Sequence, residues 1–224
     1  MPETVITVQG SFSAFYPAER ATLSIAVGWQ SGDAATSLAR VVEDAEQVRA
    51  SIGGITDAAN GPVTWWSSDS VQTWVEKPWN KDGKQLPLVH HARATFSVKF
   101  SDFSALAEWI QRSSKWSAVS VRSIEWALTV SRKSSAIAEV RSRAVKDAVA
   151  KAAVYAQSIG LGSVHAIAIA DPGMLGDDIR GSGTPSGSYS RASSKMGDES
   201  EPSLSLKPED IEIEAKVDAK FIAS

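Results

Sequence analysis

From Ala136 to Gly160 the chain runs alanine-rich with helical periodicity, and almost at once an apolar stretch follows, Val164 to Ala170. After a Gly/Ser-rich passage the chain closes on a strongly alternating segment, Ile211 to Ile222. An amphipathic helix and strands with one apolar face each must bury those faces against another layer. This order therefore requires an α+β unit. The predicted contact stripe of the helix is Ile137, Val140, Ala144, Ala148, Ala152, Tyr155 and Ile159. Its small residues let the helix axis sit close to a sheet. Glu139–Arg143, Arg143–Asp147 and Asp147–Lys151 are opposite charges at i,i+4, expected on the outer face and worth only ~0.2–0.5 kcal/mol each. Gly160 and Gly162 stop the helix.

The rest of the chain reads as further strands and helices. Val5 to Tyr16, with Gly10 inside it, is a first strand, and Pro17-Ala18-Glu19 a turn. Ala21, Leu23, Ile25, Val27 and Trp29 then alternate with polar or small residues, which predicts a hairpin with the first strand. Asp33 offers an N-cap, and Leu38, Val41, Val42, Ala45, Val48 and Ile52 follow at helical spacing, ended by Gly53-Gly54 in a left-handed cap. Val63 to Lys77 is β-prone. Pro78 to Pro87 is polar and contains Asp82-Gly83, a hairpin signal, and His90 to Phe100 returns as a strand. Asp102 caps a short helix carrying Phe103, Leu106, Ala107 and Ile110. Ser117 to Val130 is a strand whose phase changes: Val119 and Val121 share one parity, Ile124, Trp126, Leu128 and Val130 the other. A one-residue slip turns every side chain to the opposite face, so a bulge or break is expected near Arg122-Ser123.

The predicted fold class is thus α+β, an antiparallel-rich sheet with packed helices in the order β-β-α-β-β-α-β-α-β-(long loop)-β. It occupies residues 1–224 as one domain or two tightly joined subdomains. The long loop, residues 171–207, is Gly/Ser-rich and has no periodic pattern. Loops beyond ~12–15 residues are unusual inside a domain and are either functional or disordered.

Composition narrows the function classes. The 224 residues are 43% hydrophobic and 22% charged, which is ordinary globular usage. Lys and Arg are interleaved with Asp and Glu, and the net charge is −3; a duplex-binding protein concentrates basic charge on one face, so no nucleic acid partner is expected. The chain has no cysteine, which removes disulfides, thiolate metal sites and cysteine nucleophiles. Met1-Pro2-Glu3-Thr4-Val5 has neither a basic nor an apolar leader segment, and no apolar run reaches the ~18–20 residues of a membrane span. The expectation is a cytoplasmic protein without a membrane span.

No motif with catalytic chemistry stands out. His90 and His91 are neighbours in a strand and point to opposite faces, so they do not chelate one metal together. No acidic third ligand is spaced to His91 and His165. Gly181-Ser182-Gly183 and Gly187 lack the phosphate-cradle spacing and a following helix. No metal and no cofactor is expected. The tryptophans are the more pointed feature. Trp65 and Trp66 are adjacent, so one faces out if the other faces in, and Trp74 and Trp79 lie further along the middle hairpin. Exposed aromatics favour protein contacts or stacking of an apolar or sugar ligand.

Several segments resemble one family. Ile6-Thr7-Val8-Gln9-Gly10 is similar to an I-x-V-x-G opening, and Pro17 to Val27 to the second strand after a Pro-Asp turn, with Pro17-Ala18 here. Ala144-Val145-Lys146-Asp147-Ala148-Val149-Ala150-Lys151-Ala152 resembles an A-x-x-D-A-x-x-K-A helix. Ala156 to Gly162 resembles a shortened A-x-x-L-G-x-x-L-G element, and Ile211 to Val217 the final strand after a variable Pro/Ser-rich loop. These are features of the SIMPL-domain family, a bacterial group of largely unknown function. The resemblance implies an α+β fold and a tendency to form higher oligomers. It carries over no catalytic residues. Many members have export leaders, which this chain's opening does not match.

Three functional readings follow, in order. The first is a non-enzymatic homo-oligomer acting through assembly or a protein partner. The second is a small-ligand binder with a Trp-lined cleft at Trp65, Trp66, Trp74 and Trp79. The third is an enzyme whose polar groups, such as His91, His165 and Asp171, converge only in three dimensions.

Overall fold

The computed structural model describes residues 3–79, 86–175 and 206–224. Its elements run β1 (Thr4–Tyr16), β2 (Arg20–Ser31), α1 (Ala34–Gly53), β3 (Val63–Ser68), β4 (Gln72–Glu76), β5 (Val89–Phe100), α2 (Phe103–Ser113), β6 (Val119–Ala127), α3 (Val130–Ser158), β7 (Val164–Ala170) and β8 (Ile211–Ala223). This is the α+β order expected, with the β-prone stretch Val63 to Lys77 divided into β3 and β4. All ladders between these strands are antiparallel. They form two sheets, and the chain divides into two compact units. One is built on β1, α3, β7 and β8; the other comprises β2 to β6 with α1 and α2, and is inserted in sequence between β1 and α3.

In the first unit the strand order is β1-β8-β7. β1 and β8 pair without interruption from Thr4↔Ala223 to Tyr16↔Ile211. Helix α3 covers one face. Ile6 and Val8 of β1, and Val217, Ala219, Phe221 and Ala223 of β8, pack with Ala144, Ala148, Ala152 and Ala156 of the helix in one apolar cluster. The closing strand and the alanine-rich helix therefore share an interior, as their patterns require. The buried helical row is Ala136, Val140, Ala144, Ala148, Ala152 and Ala156, an unbroken i,i+4 ridge. The predicted stripe departed from this ridge at its ends: Tyr155 and Ile159 are exposed. Size explains the choice, since alanine admits the sheet where tyrosine would hold it off. The helix ends at Ser158 with Ile159 as its C-cap, and Gly160 just beyond has a φ of 80°, the left-handed conformation that glycine adopts at least cost.

The predicted β1–β2 hairpin does not form. β1 pairs with β8, and β2 with β5 and β6. Pro17-Ala18-Glu19 supplies no Asn or Gly for the positive φ of the favoured tight hairpin turns, so nothing local ties the two strands together. Helix α3 also begins six residues earlier than predicted, at Val130. Thr129 caps it, its side chain accepting from the Arg132 amide at 3.3 Å. Val130, read as the end of a strand, is exposed in the first turn.

In the second unit the order is β3-β5-β2-β6, with β4 also paired to β5. Leu23, Ile25 and Val27 of β2 and Phe96, Val98 and Phe100 of β5 meet Val41, Val48 and Ile52 of α1 and Leu106 and Trp109 of α2. Asp33 and Asp102 cap the two helices as expected. Helix α1 buries Ser37, Val41, Ala45, Val48 and Ile52, whereas Leu38 and Val42 remain exposed. It ends at Gly54 in right-handed geometry (φ −66°), not the left-handed cap predicted. In β6 the register steps from Ser24↔Ser123 to Ile25↔Val121, leaving Arg122 as the extra residue. The bulge lies where the change of phase placed it, and it lets Val119, Val121, Ile124 and Trp126 share one face. The Asp82-Gly83 turn signal and most of the 171–207 segment lie outside the described residues.

Candidate functional site

The tryptophan segment forms one margin of the five-stranded sheet. Trp66 stands opposite Val98 and packs against the core, while its neighbour Trp65 stands opposite Lys99 and is 48% exposed. Adjacent residues of a strand thus take opposite faces, as expected. The Lys99 ammonium lies over the Trp65 ring, 5.5 Å from its centroid. Trp74, opposite His91, stacks on that imidazole at 4.9 Å with the planes 2° apart. The Arg93 guanidinium also lies over Trp74, at 5.1 Å. His91 Nε2 is 3.1 Å from Glu76 Oε2 without the alignment of a hydrogen bond. Trp65 and Trp74 are therefore partly engaged by their own ladder, and they help to hold β3 and β4 on β5. Trp79 differs: it is 86% exposed. All five residues of β4 are exposed as well.

The polar trio His91, His165 and Asp171 does not converge. His165 and Asp171 stand at opposite ends of β7, about 20 Å apart at ~3.3 Å per residue of extended chain. Among the described residues no group of three or more His, Asp or Glu side chains is placed to hold a metal ion. A cavity of about 560 Å³ opens in the first unit, where Lys133, Arg141 and Lys216 alternate with Asp171, Glu212 and Glu214. Its charges balance, and it focuses no field on a ligand of either sign.

The most organised polar group lies on the row of α3 that sequence reading gave to solvent. Glu139 and Arg143 are exposed and paired at i,i+4 as expected, but half-exposed Asp147 and Lys151 also reach the edge of β1. Asp147 Oδ2 accepts from the Ser11 amide at 2.9 Å, and Lys151 Nζ donates to the Gln9 carbonyl at 3.0 Å. The two side chains are themselves 2.6 Å apart. β1 ends its sheet, so these are outward backbone groups that would otherwise be open to another strand. The Lys151 hydrogen bond, followed by the Ser11 amide, holds the Asp147 carboxyl below its ordinary pKa. Towards the start of the helix the row continues. Arg143 bridges to Glu139 at 3.1 Å and lies over Phe12 at 5.1 Å. The Tyr16 hydroxyl donates to Glu139 at 3.3 Å, and Arg132 lies over the Tyr16 ring at 5.0 Å. Burial, then the Glu139 charge, raises the Tyr16 pKa.

Gly10 makes this clamp possible. A Cβ there would lie 2.1 Å from the Ala144 carbonyl oxygen and 2.7 Å from the Ala148 nitrogen. The glycine and the alanines bring helix and strand backbones into contact, and at that spacing Asp147 and Lys151 reach the strand edge. The signal was present in the sequence, as a glycine within a strand and an Asp and Lys each just ahead of a buried alanine.

At the far edge of the same sheet, β7 is uncovered among the described residues. It contains no Lys, Arg, Asp or Glu, and its Ile167 and Ile169 are 52% and 51% exposed. The turn after it folds back over β8: buried Asp218 accepts from the Gly173 amide at 2.8 Å and from Gln9 Nε2 at 2.9 Å, and Lys220 Nζ donates to the Leu175 carbonyl at 3.0 Å.

No helix of the described residues is long and apolar enough to cross a membrane. A comparison with curated proteins gives no match. Residues 6–221 match the model of SIMPL, described as a protein of unknown function (DUF541). That span includes the Gly10 contact, the Asp147–Lys151 clamp and all but the outer ends of β1 and β8, and the chain belongs to the SIMPL family.

Proposed function

We propose that the protein is a non-enzymatic assembly component that works by pairing its sheet margins and exposed aromatics with other protein chains. One observation carries this reading: the two edges of the three-stranded sheet are treated oppositely. β1 is closed by Asp147 and Lys151, whereas β7 shows uncharged apolar residues to solvent. Open apolar edges are templates for strand addition, and proteins that stay monomeric blunt them with charge or proline. The edge of β6 carries such blunting, with Arg122 bulged out and exposed. Exposed Trp79 and the uncovered β4 add aromatic contact area of the kind enriched at interfaces.

Size-exclusion chromatography with light scattering tests this over a wide concentration range. A mass of two or more chains is expected. A strict single-chain mass at high micromolar concentration contradicts it.

A further inference from the structure

We infer that residues 211–217 of β8 take up an extended segment of a partner protein in which acidic residues flank an apolar one at alternate positions. This rests on the assembly reading, and it names one margin and the chemistry of what pairs with it. β8 pairs with β1 along its whole length, from Thr4↔Ala223 to Tyr16↔Ile211. On its other side β7 reaches only from Val164↔Ala223 to Ala170↔Asp218. Pro172, which has no amide hydrogen to donate, follows almost at once, and the chain is led off the edge. The Met174 amide donates to the Asp171 carbonyl, the Gly173 amide to the Asp218 carboxylate and Lys220 Nζ to the Leu175 carbonyl. Among the described residues no strand takes the place beside residues 211–217. Their outward backbone groups form an edge of about 20 Å at ~3.3 Å per residue, of the kind that accepts strand addition.

The cavity of about 560 Å³ lies beside this edge, bounded by β8, by Asp171 and Pro172, and by Lys133, Ile137 and Arg141 of α3. Asp147 and Lys151 precede buried alanines of the helical ridge and flank β1, whereas Ile137 and Arg141 follow the buried Ala136 and Val140 and flank the opposite side. Val217, Ala219 and Phe221 pack on α3, so by period two Ile213 and Ala215 share that face. Glu212, Glu214 and Lys216 take the other face, where Lys216 bridges Glu214 at 2.9 Å. The rim charges thus balance in sum but are sorted by face. Over the groove stand the exposed cations Lys133 and Arg141 with half-buried Ile137 between them, and neither cation has an ion-pair partner among the described residues. Residues four apart on a helix are ~6.0 Å apart along its axis, and alternate residues of a strand ~6.6–6.8 Å. A strand added to β8 therefore presents its residues i, i+2 and i+4 to Lys133, Ile137 and Arg141 almost in step. An apolar residue covers Ile137, and an acid on each side meets a cation.

Fluorescence anisotropy of a dye-labelled, end-blocked peptide S-T-E-T-I-T-E-T-S against the full chain tests this. Saturable binding is expected, at least ten-fold weaker for S-T-K-T-I-T-K-T-S. Lys133→Glu/Arg141→Glu changes two exposed side chains, so its far-UV circular dichroism is expected to stay the same while its preference reverses to the lysine peptide. Hydrogen exchange is expected to show amides of residues 211–217 gaining protection when the glutamate peptide is added. Equal binding of the two peptides, or a preference that the double variant does not reverse, overturns the inference. So do amides of residues 211–217 that are all protected without peptide, since the edge is then already filled by this chain or a copy of it. If light scattering gives a single chain throughout and neither peptide binds, the assembly reading and this inference fall together. If wild type is a multimer and the glutamate peptide does not bind, only this inference falls. A single chain that binds the glutamate peptide supports the inference and overturns self-assembly alone.

Discussion

Substituting Gly10 by alanine adds one methyl group where the helix backbone already lies against the strand. The new Cβ would be 2.1 Å from the Ala144 oxygen and 2.7 Å from the Ala148 nitrogen, while ordinary contacts begin near ~3.4 Å. Helix and strand must therefore separate by about 1 Å. Neither obstacle is a side chain that can rotate away. Over-packing a well-filled interior costs ~1–3 kcal/mol, and contact with backbone puts this case at the upper end. Against that stands a gain of ~0.4–1 kcal/mol from the stiffer unfolded chain. The expected net loss is about 2 kcal/mol, or roughly 4–8 °C in Tm at ~2–4 °C per kcal/mol for a chain of this size. Gly28→Ala is the internal comparison. Its Cβ would meet nothing closer than the Ala92 oxygen at 3.9 Å, so it is expected to be neutral or slightly stabilising. Urea and thermal unfolding followed by far-UV circular dichroism measure both. Tryptophan fluorescence adds a second readout, because all eight tryptophans lie between Pro17 and Leu128, in the five-stranded unit. A Gly10→Ala protein as stable as Gly28→Ala would refute the close-packing argument.

The clamp on β1 titrates. Because the folded pKa of Asp147 is depressed, its contribution is present above the unfolded value of ~3.9 and is lost as pH falls through the lower folded value. Asp147→Asn is expected to cost about 0.5–1.5 kcal/mol at pH 7, reduced by partial exposure, with the gap to wild type closing as pH falls through the depressed folded value; urea midpoints against pH check it. Deleting Arg122 removes the bulged residue and leaves Val119, Val121, Ile124 and Trp126 in continuous alternation, so it is expected to cost under about 1 kcal/mol. Deleting Glu125 instead shifts Trp126 out of phase and is expected to cost ~2–3 kcal/mol; equal losses would count against the register. Trp109→Ala empties the largest fully buried side chain and removes its Nε1 bond to Ser51 Oγ (3.2 Å), with an expected loss of ~3–5 kcal/mol in a fluorescence-detected melt.

Much of this fold was legible because its signals are local and periodic. β7 follows an apolar run bounded by Gly162 and Pro172, and β8 follows its alternation. The bulge at Arg122 could be read because one residue of slip reverses the parity of everything after it. What could not be read depended on partners distant in sequence. β1 finds β8 about two hundred residues away, and a three-residue link to β2 resembles a hairpin although it lacks the turn chemistry. Trp109 escaped notice because a tryptophan in a short helix marks neither burial nor exposure. The clamp was hidden for a related reason. Charges at i,i+4 on a helix suggest a solvated face, and only the contact at Gly10 shows that Asp147 and Lys151 lie over a strand edge. Alternation alone puts the tryptophans at 65 and 66 on opposite faces, but which of them faces out, the cation over Trp65 and the imidazole beneath Trp74 come from cross-strand register.

Hydrogen exchange at the two outer edges of the three-stranded sheet, measured at low and high protein concentration, tests the central claim most directly. The expected pattern is a Ser11 amide protected at every concentration, because Asp147 of the same chain holds it, and outward amides of β7 that gain protection only as concentration rises. Outward β7 amides that exchange freely at all concentrations, or a Ser11 amide as fast as an open strand edge, would contradict it.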